Sequence, residues 1–269
     1  MTEKTVGIIG GCGWMGRAIG RSMLKAGFVA PNCLILSGRS RNAGFAEWPD
    51  IECTSSNREL MERADVVVLA VHPEQFAAVK IDAHDKLVIS IMAGISAGTI
   101  QTHAHAQRVV RAMPNAAAEI ARSYTPWFAV EGVPLADKVL VQALFETCGV
   151  ADEVPRETDI DYLTGMTGSG PAFPALLAKA MLVHALAKGI PADIARRAVE
   201  GVIAGASQLV ARGNESPEQI VQTFLDYRGT TAAALRKMIG AGFAEAVHAG
   251  LEAAEAAAVE MSQSGSMEA

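Results

Sequence analysis

Residues 11–16 read Gly11-Cys12-Gly13-Trp14-Met15-Gly16, three glycines spaced as G-x-G-x-x-G. They follow a short β-branched run, Thr5 to Ile9, and open a segment of helical periodicity, Met15 to Ala26, that stops at Gly27. Between a strand and a helix, this spacing seats a dinucleotide pyrophosphate on the free N–H groups of the helix start. Gly11 is expected to permit the tight turn, Gly13 to let the backbone approach the pyrophosphate, and Gly16 to pack helix on strand. Cys12, Trp14 and Met15 fill the intervening positions and are expected to border the same ligand. A glycine-rich turn without a ligand is the competing reading, and the strand-to-helix context weighs against it.

The end of the second strand, Cys33 to Ser37, discriminates between cofactors. NAD sites place Asp or Glu there to bind the ribose 2′-hydroxyl. Here the run is Ser37-Gly38-Arg39-Ser40-Arg41, with two arginines and no acid. A guanidinium and hydroxyls suit a 2′-phosphate, so NADPH is expected over NADH, with Ser37 and Arg39 as ligands and the other arginine facing solvent. Arg39→Asp is expected to weaken NADPH more than NADH in paired binding measurements, and equal losses would contradict the 2′-phosphate assignment.

Two further clusters could do chemistry. Gly165-Met166-Thr167-Gly168-Ser169-Gly170-Pro171 lies where the character of the chain changes, and such junctions commonly hold substrate. It is either a substrate contact, through Ser169, or a tight turn capping the next helix. Arg228-Gly229-Thr230-Thr231 precedes an Ala-rich helix. Free N–H groups at a helix start, a threonine hydroxyl and the Arg228 cation together suit a small carboxylate; an ordinary threonine N-cap explains the same residues.

The elements that must position these clusters divide the chain in two. In residues 1–156, Thr5–Ile9, Cys33–Ser37, Val66–Val71, Leu87–Met92 and Arg108–Ala112 read as strands, with Trp127–Val130 as a possible extension. Helical connections between them imply a parallel sheet with helices on both faces. Val66–Val71, apolar throughout, has the pattern of a central parallel strand. Residues 157–269 show no convincing strand. Pro171–Lys188, Ala192–Arg212, Pro217–Leu225 and Thr230–Met261 read as helices, the last interrupted near Gly240 and Gly242, and Ser262–Ala269 as a frayed tail. The fold class is therefore an α/β Rossmann-type dinucleotide-binding domain followed by an all-α domain, which the family resemblance described below implies is a dimerisation and substrate domain. These helices are too numerous to bury on the first domain alone, so an obligate homodimer is expected.

Composition excludes several classes. Half of the 269 residues are hydrophobic, which argues against general disorder. A net charge of −6, with 8 basic against 13 acidic residues from position 157 onward, argues against nucleic-acid partners. Cys12, Cys33, Cys53 and Cys148 form no C-x-x-C pair and read as reduced cytoplasmic thiols; no spacing supports a metal site. No signal-peptide pattern opens the chain, and the densest apolar stretch, Val66–Val71, is too short for a bilayer, so no membrane partner is expected.

Taken together, the motifs resemble the pyrroline-5-carboxylate reductase family over nearly the whole chain. The resemblance runs through the glycine turn, Asn57 followed by Glu59, Ala70-Val71-His72-Pro73, Ile89-Ser90-Ile91-Met92-Ala93-Gly94-Ile95, Arg111-Ala112-Met113-Pro114-Asn115, Gly168-Ser169-Gly170-Pro171-Ala172-Phe173 and Gly229-Thr230-Thr231. It implies NADPH- or NADH-dependent reduction of a cyclic imino acid, L-proline being the standard product, at an active site shared between protomers. Higher assembly of dimers is compatible with it. By the same resemblance, Asn57, Ala70, Val71, His72, Pro73, Ala93 and Gly94 would line the cofactor. Gly229, Thr230 and Thr231 would hold the substrate carboxylate, with Thr231 near the ring nitrogen as the catalytic candidate. A protonated imine is already electrophilic, so positioning against the hydride donor does most of the work; the Thr231 hydroxyl could bond the nitrogen or relay a proton through water.

The chain departs from the family pattern at two places. Asp226-Tyr227-Arg228 stands where Ser-Pro-Gly is usual, and His72 where Lys is usual. Arg228 is a candidate for a substrate carboxylate and Asp226 for an iminium cation, which keeps pyrroline-2-carboxylate, piperideine carboxylates and substituted rings open as substrates. A hydroxy-acid dehydrogenase of related build would need a lysine at the position held by Pro174. A non-catalytic NADPH sensor would not need Gly229-Thr230-Thr231.

Overall fold

The computed structural model describes residues 2–38 and 44–267, with side chains through Ser262; Arg39, Ser40 and Arg41 lie outside the described residues. Short runs of β-branched and aliphatic side chains form the middle of one sheet. Its strands are β1 (Val6–Ile9), β2 (Leu34–Ser37), β3 (Glu52–Thr54), β4 (Val66–Leu69), β5 (Leu87–Ser90), β6 (Arg108–Ala112), β7 (Ser123–Ala129) and β8 (Gly149–Glu153). They lie in the order β3-β2-β1-β4-β5-β6-β7-β8. Every strand residue of β1, β2, β4 and β5 is buried, and the alternation splits them between two faces. Ile8, Leu36, Val68 and Ile89 pack into one core, and Ile9, Ile35, Val67, Leu69 and Val88 into the other.

Three features differ from the strands expected. β3 and β8 were not anticipated. Their sequences, Glu-Cys-Thr and Gly-Val-Ala-Asp-Glu, are polar or solvent-facing at most positions because they close the two edges of the sheet, where one apolar face suffices. β7 begins at Ser123, earlier than Trp127, and pairs antiparallel with β6, whereas all other neighbours are parallel. The connection from β6 to β7 is a single 3-10 turn, Ala116–Ile120, closed by Ala121 at φ 53°. That is shorter than the dozen or so residues a parallel crossover requires.

The helices are α1 (Trp14–Lys25), α2 (Asn57–Arg63), α3 (Ala97–Ala104), α4 (Leu135–Glu146), α5 (Glu157–Leu163), α6 (Ala172–Ala187), α7 (Ala192–Ala211), α8 (Pro217–Asp226), α9 (Thr230–Ile239) and α10 (Phe243–Met267). The break at Gly240–Gly242 is present, with Gly242 at φ 86°. The tail expected to fray from Ser262 instead continues α10 through Met267. Pro171 occupies the N-cap of α6 rather than its first helical position.

By its internal contacts the chain forms two units, Met1–Ser169 with Ala253–Ala269, and Gly170–Glu252. The first holds the sheet. In the second, α6 packs on α7 and α8 on α9. Its buried side chains among the described residues are few, Ala195, Val199 and Ala232, while Leu176, Val183, Ile194 and Val202 stand in solvent in the single chain. An apolar surface of this extent is characteristic of a contact with another molecule. The run Glu157–Ala187 is also long and apolar enough to cross a membrane by length and composition alone.

Candidate active site

β1 lies between β2 and β4, so the crevice beyond its C-terminal end is the switch point at which open α/β sheets bind ligands. The turn there is built from backbone contacts. The N–H groups of Gly10 and Gly11 both donate to the Ser37 carbonyl at 3.0 Å, and that of Gly13 donates to Gly10 at 2.9 Å. The conformational demand falls on Gly10, at φ 84°, and not on Gly11 as the motif alone predicts. Gly11 serves another purpose, since a Cβ there would stand 2.8 Å from a Leu36 methyl. Gly16 packs as expected, with a Cβ placed only 2.6 Å from the Gly10 carbonyl.

A cleft of about 620 Å³ opens above this turn. Of the residues expected at the cofactor, Cys12, Gly13, Trp14, Met15, Ser37, Asn57, Ala70, Val71, His72, Pro73 and Ala93 line it. Gly11 and Gly16 lie behind the turn, and Gly94 backs the wall, where a Cβ would come 2.5 Å from the Met261 Cβ on α10. Sequence reasoning missed Ile9, Gly10, Gly38, Ser55, Gln75, Val79, Ile91 and Met92, which also line the cleft. Gly10 had a signal, the doubled glycine at the end of β1; the others arrive by sheet topology. Arg39 is outside the described residues.

Individual side chains are held in place. Ser37 donates its hydroxyl to Asn57, and no carboxylate stands at the end of β2. The Glu59 carboxylate on the next turn accepts the Thr54 hydroxyl at 2.6 Å. Trp14 is 56% exposed, and its indole N–H donates to Glu119. Burial pushes the Cys12 thiol above its usual pKa, nearby Cys53 raises it further, and the Arg17 charge opposes both. Cys12 is accordingly a neutral thiol and no candidate nucleophile.

The glycine cluster at 165–171 forms a π-helical segment, Thr164–Gly168, rather than a tight turn. The widened turn is steadied by Asn115, whose side-chain amide donates to the Thr167 carbonyl at 2.9 Å, and Gly168 lies against Met113. Ser169 follows it, exposed, at the end of the first unit. Single π turns of this kind recur at functional sites.

In the second unit, Asp226 closes α8 and its carboxylate accepts from Gln222 at 2.8 Å. Tyr227 is 87% exposed. Arg228 adopts φ 62°, a left-handed conformation unusual for arginine, and Gly229 follows at φ 84° as the N-cap of α9. No side chain caps this helix; the first intrahelical bond runs from Ala233 to the Gly229 carbonyl. The N–H groups of Thr230, Thr231 and Ala232 therefore have no hydrogen-bond partner among the described residues; Thr230 and Thr231 are exposed, and Ala232 is buried behind them. The competing threonine N-cap is absent, because the cap residue is Gly229.

Residues 157–261 match the family described as pyrroline-5-carboxylate reductase dimerisation, and residues 5–94 match NADP oxidoreductase coenzyme F420-dependent. Pyrroline-5-carboxylate reductase of Thermus thermophilus is 34% identical over 248 residues, covering 89% of this chain and 93% of that protein. Pyrroline-5-carboxylate reductase 2 of Bacillus subtilis is 30% identical over 254 residues, covering 91% and 90%. The crystal structure of Plasmodium falciparum pyrroline carboxylate reductase with NADP bound shares the fold, with a TM-score of 0.85 at 24% identity over 97% of this chain and 99% of that one.

Proposed function

Because the chain belongs to the pyrroline-5-carboxylate reductase family, we propose that it reduces 1-pyrroline-5-carboxylate to L-proline by hydride transfer to the protonated imine. It is an NAD(P)-dependent oxidoreductase acting on CH–NH groups, and NADPH is its cofactor. The observation that carries the substrate reading is the uncapped start of α9, where the N–H groups of exposed Thr230 and Thr231 have no partner among the described residues. A carboxylate is the simplest anion to satisfy them, and the helix dipole favours it there.

The residues present fit NADPH. α1 starts at Gly13 without a side-chain cap and with no acid in its first turn, so its N–H groups remain available to a pyrophosphate at the cleft. A bound nicotinamide supplies the hydride. The chain supplies placement: Gly229, Thr230 and Thr231 fix the carboxylate and thereby the imine carbon, while the Thr231 hydroxyl accepts the N–H of the iminium. The nitrogen is protonated before reduction, so hydride addition at carbon completes the amine and no separate proton donor is needed. Asp226, tied to Gln222, and Arg228 stand at the rim of this site, and Ser169 is a further proposed substrate contact.

The chain carries a dimerisation domain, and we assign it a homodimer, with assembly of dimers open; neither nucleic acid nor membrane is proposed as a partner, and the cytoplasm is the proposed compartment. Thr231→Val removes the hydroxyl and keeps the shape. It is expected to lower kcat/KM for the imine about tenfold with little change in NADPH affinity. An unchanged kcat/KM would remove Thr231 from the mechanism.

A second reading, reduction of a larger or substituted cyclic imino acid, is favoured by one observation, the exposed Tyr227-Arg228 pair in place of a small loop. NADPH oxidation with pyrroline-5-carboxylate, pyrroline-2-carboxylate and piperideine carboxylates, with NADH in parallel, separates the two. Fastest turnover of pyrroline-5-carboxylate supports the first reading; slow turnover there with another imine reduced well supports the second. NADPH binding without turnover of any imine would overturn both in favour of a sensor.

A further inference from the structure

Two guanidiniums lie on the first two turns of α1, and they are differently employed. Arg21 donates to Glu47 at 2.9 Å and to the Gly44 carbonyl, and it lies 5.4 Å from the centroid of the Trp48 ring. Arg17 is half-buried and has no hydrogen-bond or ion-pair partner among the described residues. A partly buried cation without a counter-ion is unfavourable unless a ligand supplies the anion.

The placement of Arg17 says which anion. Its N–H bonds the Gly13 carbonyl at 3.0 Å, so it rises directly from the glycine turn. Its stem runs along Gly44, where a Cβ would stand 2.6 Å from the Arg17 Cδ. Within the turn, Cys12 packs on Gly38, the residue following β2, close enough that a Cβ on Gly38 would lie 2.9 Å from the Cys12 Cβ. The Arg17 charge favours the thiolate form of Cys12, against the stronger upward push of burial. The end of β2 is where a carboxylate would bind a ribose 2′-hydroxyl in an NAD site. Ser37 stands there instead, and the carboxylates of Glu59 and Glu47 are already held by Thr54 and Arg21. A pocket of about 380 Å³ bordered by Arg17, Arg21, Lys25 and Glu119 leaves the Arg17 guanidinium room to turn, and Glu119 is occupied by the Trp14 indole.

We propose that Arg17 is a specificity-determining residue for the cofactor, supplying from α1 a cation that pairs with the 2′-phosphate of NADPH. The inference rests on NADPH being the reductant, and it adds a helix-borne arginine to the ligands expected at the end of β2.

The test uses the purified full-length protein and measures binding of 2′,5′-ADP and 5′-ADP, together with steady-state constants for NADPH and NADH. Arg17→Ala is compared with Arg17→Gln, which keeps the stem against Gly44 and removes the charge, and with Arg17→Lys. The expected result is a loss of about 10- to 100-fold for 2′,5′-ADP and a matching rise in KM for NADPH, with 5′-ADP and NADH unchanged and Arg17→Lys intermediate. Equal losses for all four ligands would make Arg17 a structural residue of α1 and overturn the proposal, as would no loss at all. A wild-type protein that binds 2′,5′-ADP and 5′-ADP alike would overturn the NADPH reading itself, a failure distinct from wild-type discrimination that survives the substitutions.

Discussion

Arg111→Met is expected to destabilise the protein by about 3–5 kcal/mol, the largest effect of any single substitution considered. Arg111 sits on β6, 2% exposed, and forks to Glu157 at 2.7 Å and Asp161 at 3.0 Å, both on α5. The same Glu157 oxygen also accepts the N–H of Ala97, the first residue of α3, at 2.7 Å. One guanidinium therefore ties a strand to two helices. Removing it leaves two carboxylates facing each other with 30% and 17% side-chain exposure, a repulsion and a desolvation cost together. Arg111→Lys is expected to rescue little, because an ammonium lacks the planar fork that reaches both acids. Arg111→Met combined with Glu157→Gln and Asp161→Asn is expected to recover much of the loss, since no uncompensated charge remains. Urea unfolding measures each variant; an Arg111→Met loss below 1 kcal/mol would show that the triad adds little.

Gly10→Ala is expected to cost of order 3 kcal/mol and to weaken NADPH as well. Alanine at φ 84° is strained in any surroundings, and here the new Cβ would also stand 2.5 Å from the Ala70 carbonyl oxygen and 3.0 Å from the Val71 nitrogen. Those contacts are backbone and cannot rotate away, so the Ala70–Val71 wall of the cleft above the glycine turn must move. Gly132→Ala is the control. It has φ 87° but nothing within 4 Å, so only the strain remains, about 1 kcal/mol, with NADPH affinity unchanged. Equal effects of the two substitutions on NADPH would separate the Gly10 contact from cofactor binding.

The part of this molecule that could be read from local pattern is the part whose chemistry is local. The glycine turn declares itself because three close backbone approaches need three missing side chains within six residues. β4 declares itself because both its faces are buried and every residue is apolar. The edge strands β3 and β8 give no such run, since one side of each meets solvent. Trp14 was legible as a neighbour of the glycine turn and lines the cleft above it, but its partner Glu119 was not, because 105 residues separate them and only the sheet brings them together. The same holds for Arg111, whose two acids come from a helix beyond β8, and for Met261, which lies against Gly94. In the second unit the helices follow from periodicity and the break at Gly240–Gly242 from composition. The left-handed Arg228 does not follow from either, since nothing in an arginine announces a positive φ.

The central claim is a hydride passed from NADPH to the carbon of a cyclic imine. It is tested most directly with NADPH deuterated at both C4 positions, incubated with the protein and pyrroline-5-carboxylate, and the proline analysed by mass spectrometry and proton NMR. The account predicts one deuterium per proline, at the carbon that was the imine carbon, formed in step with NADPH oxidation. Proline without deuterium, or oxidised cofactor without proline, would contradict it.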